Sequence, residues 1–543
     1  MSNQLCEVIV LETSDLHGFL LPRSYADKTE VSYGLARIAT IVKEMRGLHP
    51  NILLIDNGDC LQGTPLTYYH ARINNEPPNP VVACMNELRY DAAVPGNHEF
   101  NYGLPYLKEA VEASSFPWLS ANIVNEASGE PLFGKPYIVR ELKNGLRIGI
   151  LGLTTSYIPN WEQPQHIAGI RFDDPVETAR HWVDVLKRQE QVDAVVVSYH
   201  GGFERDPETG GSTEPFTGEN VGYAICEQIE GIDVLLTGHQ HRAIAGCSIN
   251  GVCVVQPSNE GRYLGKVTLQ FERIEEVWTL KTCESELLSA EEYEPDETVE
   301  RIAAEVETLT QVWLDQPIGR ASGDMTFASH EEARLREHHF VEFINRVQME
   351  VSGADISCTA IFDNQSPGFG KRITMREVVS NYIYPNTLKV LRISGSDIRE
   401  ALEKSAEYFE LDERGAIAVS EAYLMPKPQH FNYDMWEGID YELDIAREKG
   451  QRVTKLEWRG QPMRMDQTFD VVMNNYRAGG GGNYSMFRNK PVVKDIAVDM
   501  VELLADYIRE RGVIEAGVNN NWRVVNSDER RISSHGSEQS GTI

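Results

Sequence analysis

No stretch of this sequence approaches the ~18 consecutive apolar residues that suggest a membrane span. Its beginning, MSNQLCEVIVLETSDLHG, also lacks the basic segment and apolar core of a secretory leader. It runs straight into a strand pattern, so a cytoplasmic protein with no membrane partner is expected. Basic charge is scarce. Against 82 Asp and Glu there are 51 Lys and Arg, giving a net charge of −31. That balance argues against polymeric nucleic acid as a partner. An anionic substrate would need a local positive site, and bound cations supply one. Cysteine is sparse too, with eight in 543 residues and no CxxC pair. The expectation is buried free thiols, not disulfides or thiolate metal sites.

The length exceeds what one hydrophobic core usually supports, so two large domains are expected. In the first half, one pattern recurs. A short apolar run ends in a polar cluster, and an amphipathic stretch usually follows. Residues 7–12 lead into Thr13-Ser14-Asp15-Leu16-His17-Gly18, and 52–55 into Asp56-Asn57-Gly58-Asp59. Residues 92–94 lead into Pro95-Gly96-Asn97-His98-Glu99. Residues 194–198 precede Tyr199-His200-Gly201, and 234–236 precede Thr237-Gly238-His239-Gln240-His241. Strands apolar throughout are buried on both faces. With helical patterns at 33–46 and 174–189 between them, they predict a layered α/β domain over residues 1–290. In such folds, polar clusters at strand carboxyl ends meet along one sheet edge.

Residues 291–318 read as a connecting helix closed by Pro317. Residues 319–525 read as a second, smaller α/β unit, with helices at 332–351 and 395–409 and strands at 388–393, 440–445 and 469–473. The polar tail 526–543 is expected to be disordered.

The five strand-end clusters carry the chemistry. A single buried histidine is ordinarily a satisfied core residue. Five histidines, His17, His98, His200, His239 and His241, placed with Asp15 and Asp59 directly after buried strands point instead to ligands. Seven residues can bind metal: Asp15, His17, Asp59, Asn97, His200, His239 and His241. With Asp59 shared, they give two ions about four protein contacts each. Nitrogen and oxygen donors without thiolate suit Mn, Zn, Co, Fe or Ni, and the residues do not choose among them. Two such ions roughly 3.5–4 Å apart clamp a phosphoryl group and activate the attacking water. His98, beside a ligand but outside the count, reads as general acid or charge stabiliser; its plainer reading is packing or an outer hydrogen bond.

Five blocks in order, TSDLHG (13–18), GDCLQG (58–63), GNHEF (96–100), HG (200–201) and GHQH (238–241), resemble the signature of calcineurin-like metallophosphoesterases. The chain more closely resembles the branch of 5′-nucleotidases and 2′,3′-cyclic-nucleotide 2′-phosphodiesterases (3′-nucleotidases), over about residues 5–520. The resemblance implies a four-layer α/β/β/α sandwich followed by a smaller α/β substrate-binding domain. It implies one ion at Asp15, His17, Asp59 and His241, and a second at Asp59, Asn97, His200 and His239, with Asn97 also near the substrate. It implies a base stacked between two aromatic rings, here Tyr433 in FNYDMWEGIDYELDI and Tyr484 in NNYRAGGGGNYSMF.

Two departures matter. Many 5′-nucleotidases pair an aspartate with the catalytic histidine, and this chain has Asn101 there. The variant GNHEFNYG (96–103) is similar to the cyclic-nucleotide branch. The segment SCTAIFDNQSPGFGKRI (357–373) also departs from the nucleotidase pattern, so only Asp363 and Asn364 are carried forward, as ribose contacts. The expected activity is opening of a 2′,3′-cyclic nucleotide and removal of phosphate from the 3′-nucleotide. The alternatives are a 5′-nucleotidase or UDP-sugar hydrolase of the same fold, and a nucleotide-binding sensor with little turnover. The substrate is expected between the domains; the oligomeric state stays open.

Overall fold

The computed structural model describes residues 4–213, 216–384, 386–425, 427–496 and 498–528, which form two compact units divided at Gln311/Val312. From residue 529 onward, the expected tail lies outside the described residues.

The apolar runs of the first unit become strands, and their alternation decides the layers. In the strand Gln4–Thr13, Val8 and Val10 face an inner core while Ile9 and Leu11 face the other side, all almost fully buried. This strand lies parallel to Ile52–Asp56, which in turn pairs with Ala92–Ala93. On its other edge it lies antiparallel to Tyr263–Ile274, and Val277–Ser289 completes a five-stranded sheet. A second sheet of six strands has four parallel members: Val252–Pro257, Val234–Thr237, Ala194–His200 and Arg147–Thr154. Ala243–Ile249 and Tyr137–Glu141 cap its edges antiparallel.

The sheets pack face to face through Val8, Val10, Ile55, Val196, Leu236 and Val255. Helix Pro175–Arg188 covers the outer face of the second sheet with Val183 and Leu186. Its start follows capping chemistry: Pro175 opens the first turn, and the Asp174 carboxylate accepts from the amides of Val176 and Glu177. Helix Leu35–Leu48 covers the first sheet. The result is the expected α/β/β/α sandwich. All eight cysteines are free. Among the described residues, no helix is long and apolar enough to cross a membrane.

Helix Glu297–Leu314 follows, and the division between the units falls inside it. The second unit is built on a five-stranded mixed sheet: Met435–Glu437, Ile356–Thr359, Thr468–Asn474, Leu388–Ser394 and Val492–Ile496 in spatial order. The single helix expected over 332–351 is instead two, His330–Leu335 and His339–Ser352. The break has a local cause. The His338 ring accepts from the Phe340 amide and caps the second helix, so residue 338 leaves helical geometry. Helix Gly395–Ala406 starts at a reciprocal cap between Ser394 and Asp397.

The inner core of the first unit predicts its own sensitivity. Leu236→Ala should lower the unfolding free energy by about 2–5 kcal/mol. Urea unfolding followed by hydrogen exchange of the Val234–Thr237 amides measures it.

Candidate dimetal site

Each parallel strand of the two sheets delivers a polar turn to one edge, and these turns are bonded to one another. The amides of Asp15, His17 and Gly18 donate to the carbonyls of Gly58, Asp59 and Cys60 at 2.8–3.0 Å. Asn57 bridges to the second sheet: Ser198 Oγ donates to its Oδ1 at 2.6 Å, and its Nδ2 donates to the Tyr199 carbonyl at 3.2 Å. The His239 amide donates to Asp15 at 3.0 Å.

Five of the seven expected ligands occupy the left-handed region. Asp15, His17, Asp59, His239 and His241 have φ between 48° and 66°. That conformation costs a non-glycine residue about 1–3 kcal/mol, and strain of this kind collects at functional sites. Tight approach fixes glycines beside them. A Cβ on Gly96 would lie 2.2 Å from Asp59 Oδ1, and one on Gly238 would lie 2.1 Å from Ser14 Oγ. Both positions therefore exclude a side chain.

The donors gather in two clusters, Asp15–His17–His241 and Asp59–His200–His239, with the ligand atoms of each within 4.8 Å of one another. In the first, His17 Nε2 lies 3.1 Å from His241 Nε2, and His241 Nε2 lies 3.4 Å from Asp15 Oδ1. In the second, His200 Nε2 lies 3.1 Å from Asp59 Oδ2 and 3.2 Å from Asn97 Oδ1. Outer partners set the tautomers. His17 Nδ1 donates to the Gln62 carbonyl at 2.9 Å, and His200 Nδ1 donates to the Asn57 carbonyl at 2.6 Å. A carbonyl only accepts, so in the neutral rings each Nε2 presents a lone pair to its cluster. His239 Nε2 meets Glu219 Oε1 at 3.0 Å.

The electrostatics call for cations. Asp15 and Asp59 are fully buried, and burial opposes their charge. Nevertheless both carboxyls are held below the usual range, Asp15 chiefly by His241 and Asp59 chiefly by His200. His200 is pushed up to about 10: burial works against its charge, and Asp59 outweighs it. The buried Asp59 carboxylate thus draws positive charge onto the His200 ring, a charge that a metal ion can supply instead. Lone pairs of oxygen and nitrogen, convergent and without thiolate, fit two divalent ions. The centre is a dimetal site.

Glu99 is a residue the sequence reading left without a role. Its carboxylate, buried to 1% exposure, accepts from the amides of Gly96, Asp59, Cys60 and Leu61 at 2.6–3.0 Å. It therefore knots the Asp59 turn to the Asn97 turn. The signal was its place directly after Asn97-His98, inside a strand-end cluster. His98 donates its amide to Asp59 Oδ1 at 2.7 Å, and its ring meets that of His17 edge-on at 5.2 Å. Its Nδ1 lies 2.7 Å from Asn101 Oδ1.

The expected base clamp is not formed by the residues named for it. Tyr433 and Tyr484 are both 0% exposed. Tyr433 stacks on Tyr408 and donates its hydroxyl to the Arg334 carbonyl. Tyr484 stacks on Phe487, and its hydroxyl bonds Ser405 and the Asn432 carbonyl. Neither ring has a face open to a base. The two segments do meet, however, through a buried ion pair between Arg477 and Asp434 at 2.6 Å. Two other rings of the same segments are partly exposed, Phe431 and Tyr476, with centroids 6.3 Å apart and planes at 72°, edge to face. Asp363 and Asn364 also have local tasks. Asp363 Oδ1 accepts from the amides of Gln365 and Ser366, closing a turn, and Asn364 Oδ1 accepts from the buried Arg334.

Comparison with known proteins agrees with this geometry. Residues 9–243 match the calcineurin-like phosphoesterase family, and 317–489 match the 5′-nucleotidase C-terminal domain. The trifunctional nucleotide phosphoesterase protein YfkN of Bacillus subtilis is 28% identical over 95% of this chain, which spans 39% of that protein's length. A 2′,3′-cyclic-nucleotide 2′-phosphodiesterase/3′-nucleotidase of Yersinia enterocolitica is 28% identical, over 95% of this chain and 88% of its own. A Staphylococcus aureus structure named as a 5′-nucleotidase superposes with a TM-score of 0.87 at 38% identity, covering 96% of this chain and all of that one. With the signature blocks gathered at one sheet edge and relatives matched along nearly its whole length, this chain belongs to the calcineurin-like phosphoesterases that carry a 5′-nucleotidase C-terminal domain.

Proposed function

We propose that this protein hydrolyses nucleotide phosphate esters, opening 2′,3′-cyclic nucleotides and then removing phosphate from the 3′-nucleotide. The observation that carries the hydrolytic part is the pair of convergent donor clusters around Asp15 and Asp59. Asn101 beside His98, together with the Yersinia relative, favours the cyclic substrate over a 5′-nucleotide. The S. aureus structure favours the second reading, a 5′-nucleotidase.

In this reading Asp15, His17, Asp59 and His241 hold one ion, and Asp59, Asn97, His200 and His239 hold the other. When bound, the ions neutralise phosphoryl oxygens and lower the pKa of the attacking water. Glu99 keeps the shared ligand Asp59 in its strained turn. His98, its Nδ1 engaged by Asn101, handles a proton at Nε2 or steadies charge on the phosphoryl group. Phe431 and Tyr476 receive the base, and any base has a face to offer them.

Side-by-side assays with 2′,3′-cyclic AMP, 3′-AMP and 5′-AMP on manganese-loaded protein separate the readings. The first two should turn over faster; a preference for 5′-AMP selects the nucleotidase reading. Asp59→Asn should lose nearly all turnover, more than the about 10–100-fold cost of removing an outer hydrogen-bond partner. Glu99→Gln should show that smaller loss, with weaker metal retention on dialysis against a chelator. Phe431→Ala and Tyr476→Ala should each raise KM about 5- to 150-fold with little change in kcat, since a stack contributes about 1–3 kcal/mol remote from the bond broken. Unchanged KM in both variants removes this pair from the base site.

A further inference from the structure

Where many 5′-nucleotidases place an aspartate against the catalytic histidine, this chain has Asn101, and the structure supplies a carboxylate one step further back. Glu162 lies in the segment between the short turns Ile158–Asn160 and Pro164–His166, with its side chain 5% exposed. Its Oε2 accepts from Asn101 Nδ2 at 2.7 Å. Its Oε1 accepts from the Gln163 amide at 2.7 Å and meets His166 Nδ1 at 2.9 Å. One oxygen anchors the loop, and the other faces the amide that touches His98. The neighbouring Trp161 lays its ring 5.3 Å from that of His239. The same segment therefore borders both His98's partner and a metal ligand.

The chemistry of these groups fixes a direction. A carboxylate accepts and cannot donate, so the Asn101 NH₂ must face Glu162. The Asn101 oxygen then faces His98 and is itself only an acceptor. His98 Nδ1 must carry the proton of that 2.7 Å bond, so Nε2 is the unprotonated atom of the neutral ring. Without Glu162 the amide can turn over and present NH₂ to the ring, which would select the opposite tautomer. The pair also explains its own composition. An aspartate at 101 would set one carboxylate against another at this distance, a costly arrangement.

We propose that Glu162 is a positioning residue: its carboxylate locks the Asn101 amide, and through it the His98 tautomer and orientation, in place of a directly paired aspartate. The inference rests on the phosphoesterase reading above. It predicts a reversal between variants. Glu162→Gln should lower kcat about 10–100-fold on bis-p-nitrophenyl phosphate, with KM and metal content unchanged. Asn101→Asp should lower it as well. The double variant N101D/E162Q, which again holds one carboxylate, should recover at least about tenfold over N101D.

A loop brace alone would make the double variant the worst of the three, so recovery separates positioning from support. Nitrogen-15 spectra of the His98 ring in zinc-loaded protein give a readout independent of turnover. Nδ1 should be protonated as a single tautomer in the wild type and in N101D/E162Q, and mixed in E162Q. Wild-type kcat in E162Q, a double variant no faster than N101D, or a His98 spectrum indifferent to Glu162 overturns the proposal. If wild-type protein with two ions bound cleaves no ester, it is the phosphoesterase reading that fails, and the ring spectra then decide the part of Glu162 alone.

Discussion

Two carboxylates without access to water, Asp15 and Asp59, set the terms for the first unit. A buried carboxylate is expensive unless positive charge and hydrogen bonds surround it. Here the rings of His241 and His200 hold the two carboxyls below their usual range, and the amides of His239 and His98 add hydrogen bonds. Five neighbouring ligand residues accept left-handed backbone to make this arrangement, and Glu99 holds the resulting turns together through four amides. A fold does not keep strain and buried charge in one place without compensation. Two cations, one at each donor cluster, are the compensation that the donor set fits.

That constraint links the sandwich to its chemistry. The two sheets bring strand ends that are over 200 residues apart in sequence into hydrogen-bond contact, as between Asp15 and His239. The core residues on the inner faces decide how precisely those ends align, and the outer bonds of His17 to Gln62 and of His200 to Asn57 decide which ring atom those histidines offer. Rigid strands place the ligands, and carbonyls orient them.

The strand-end pattern made a layered α/β domain and the donor clusters legible in the sequence, because apolar runs buried on both faces followed by Asp or His leave few other readings, and the family resemblance implied the four-layer sandwich. What the sequence hid was contact at the scale of single residues. Left-handed geometry at Asp15 or His241 leaves no mark in composition. Glu99 and Glu162 act through distant partners that spacing does not reveal. The aromatic clamp shows the limit most sharply. The segments 431–445 and 474–487 do meet, yet Tyr433 and Tyr484 are buried, and it is Phe431 and Tyr476 that stay partly exposed. The helix expected over 332–351 broke for a similar reason, since the capping bond of His338 overrides a continuous apolar period.

The central claim is that two cations, one at each donor cluster and both reached by Asp59 as proposed, balance these buried carboxylates. Anomalous diffraction from manganese-loaded crystals tests it most directly. The account predicts two peaks roughly 3.5–4 Å apart, both within bonding distance of Asp59, with one also at Asp15 and the other also at His200. A single peak, or metal bound away from these side chains, would contradict it.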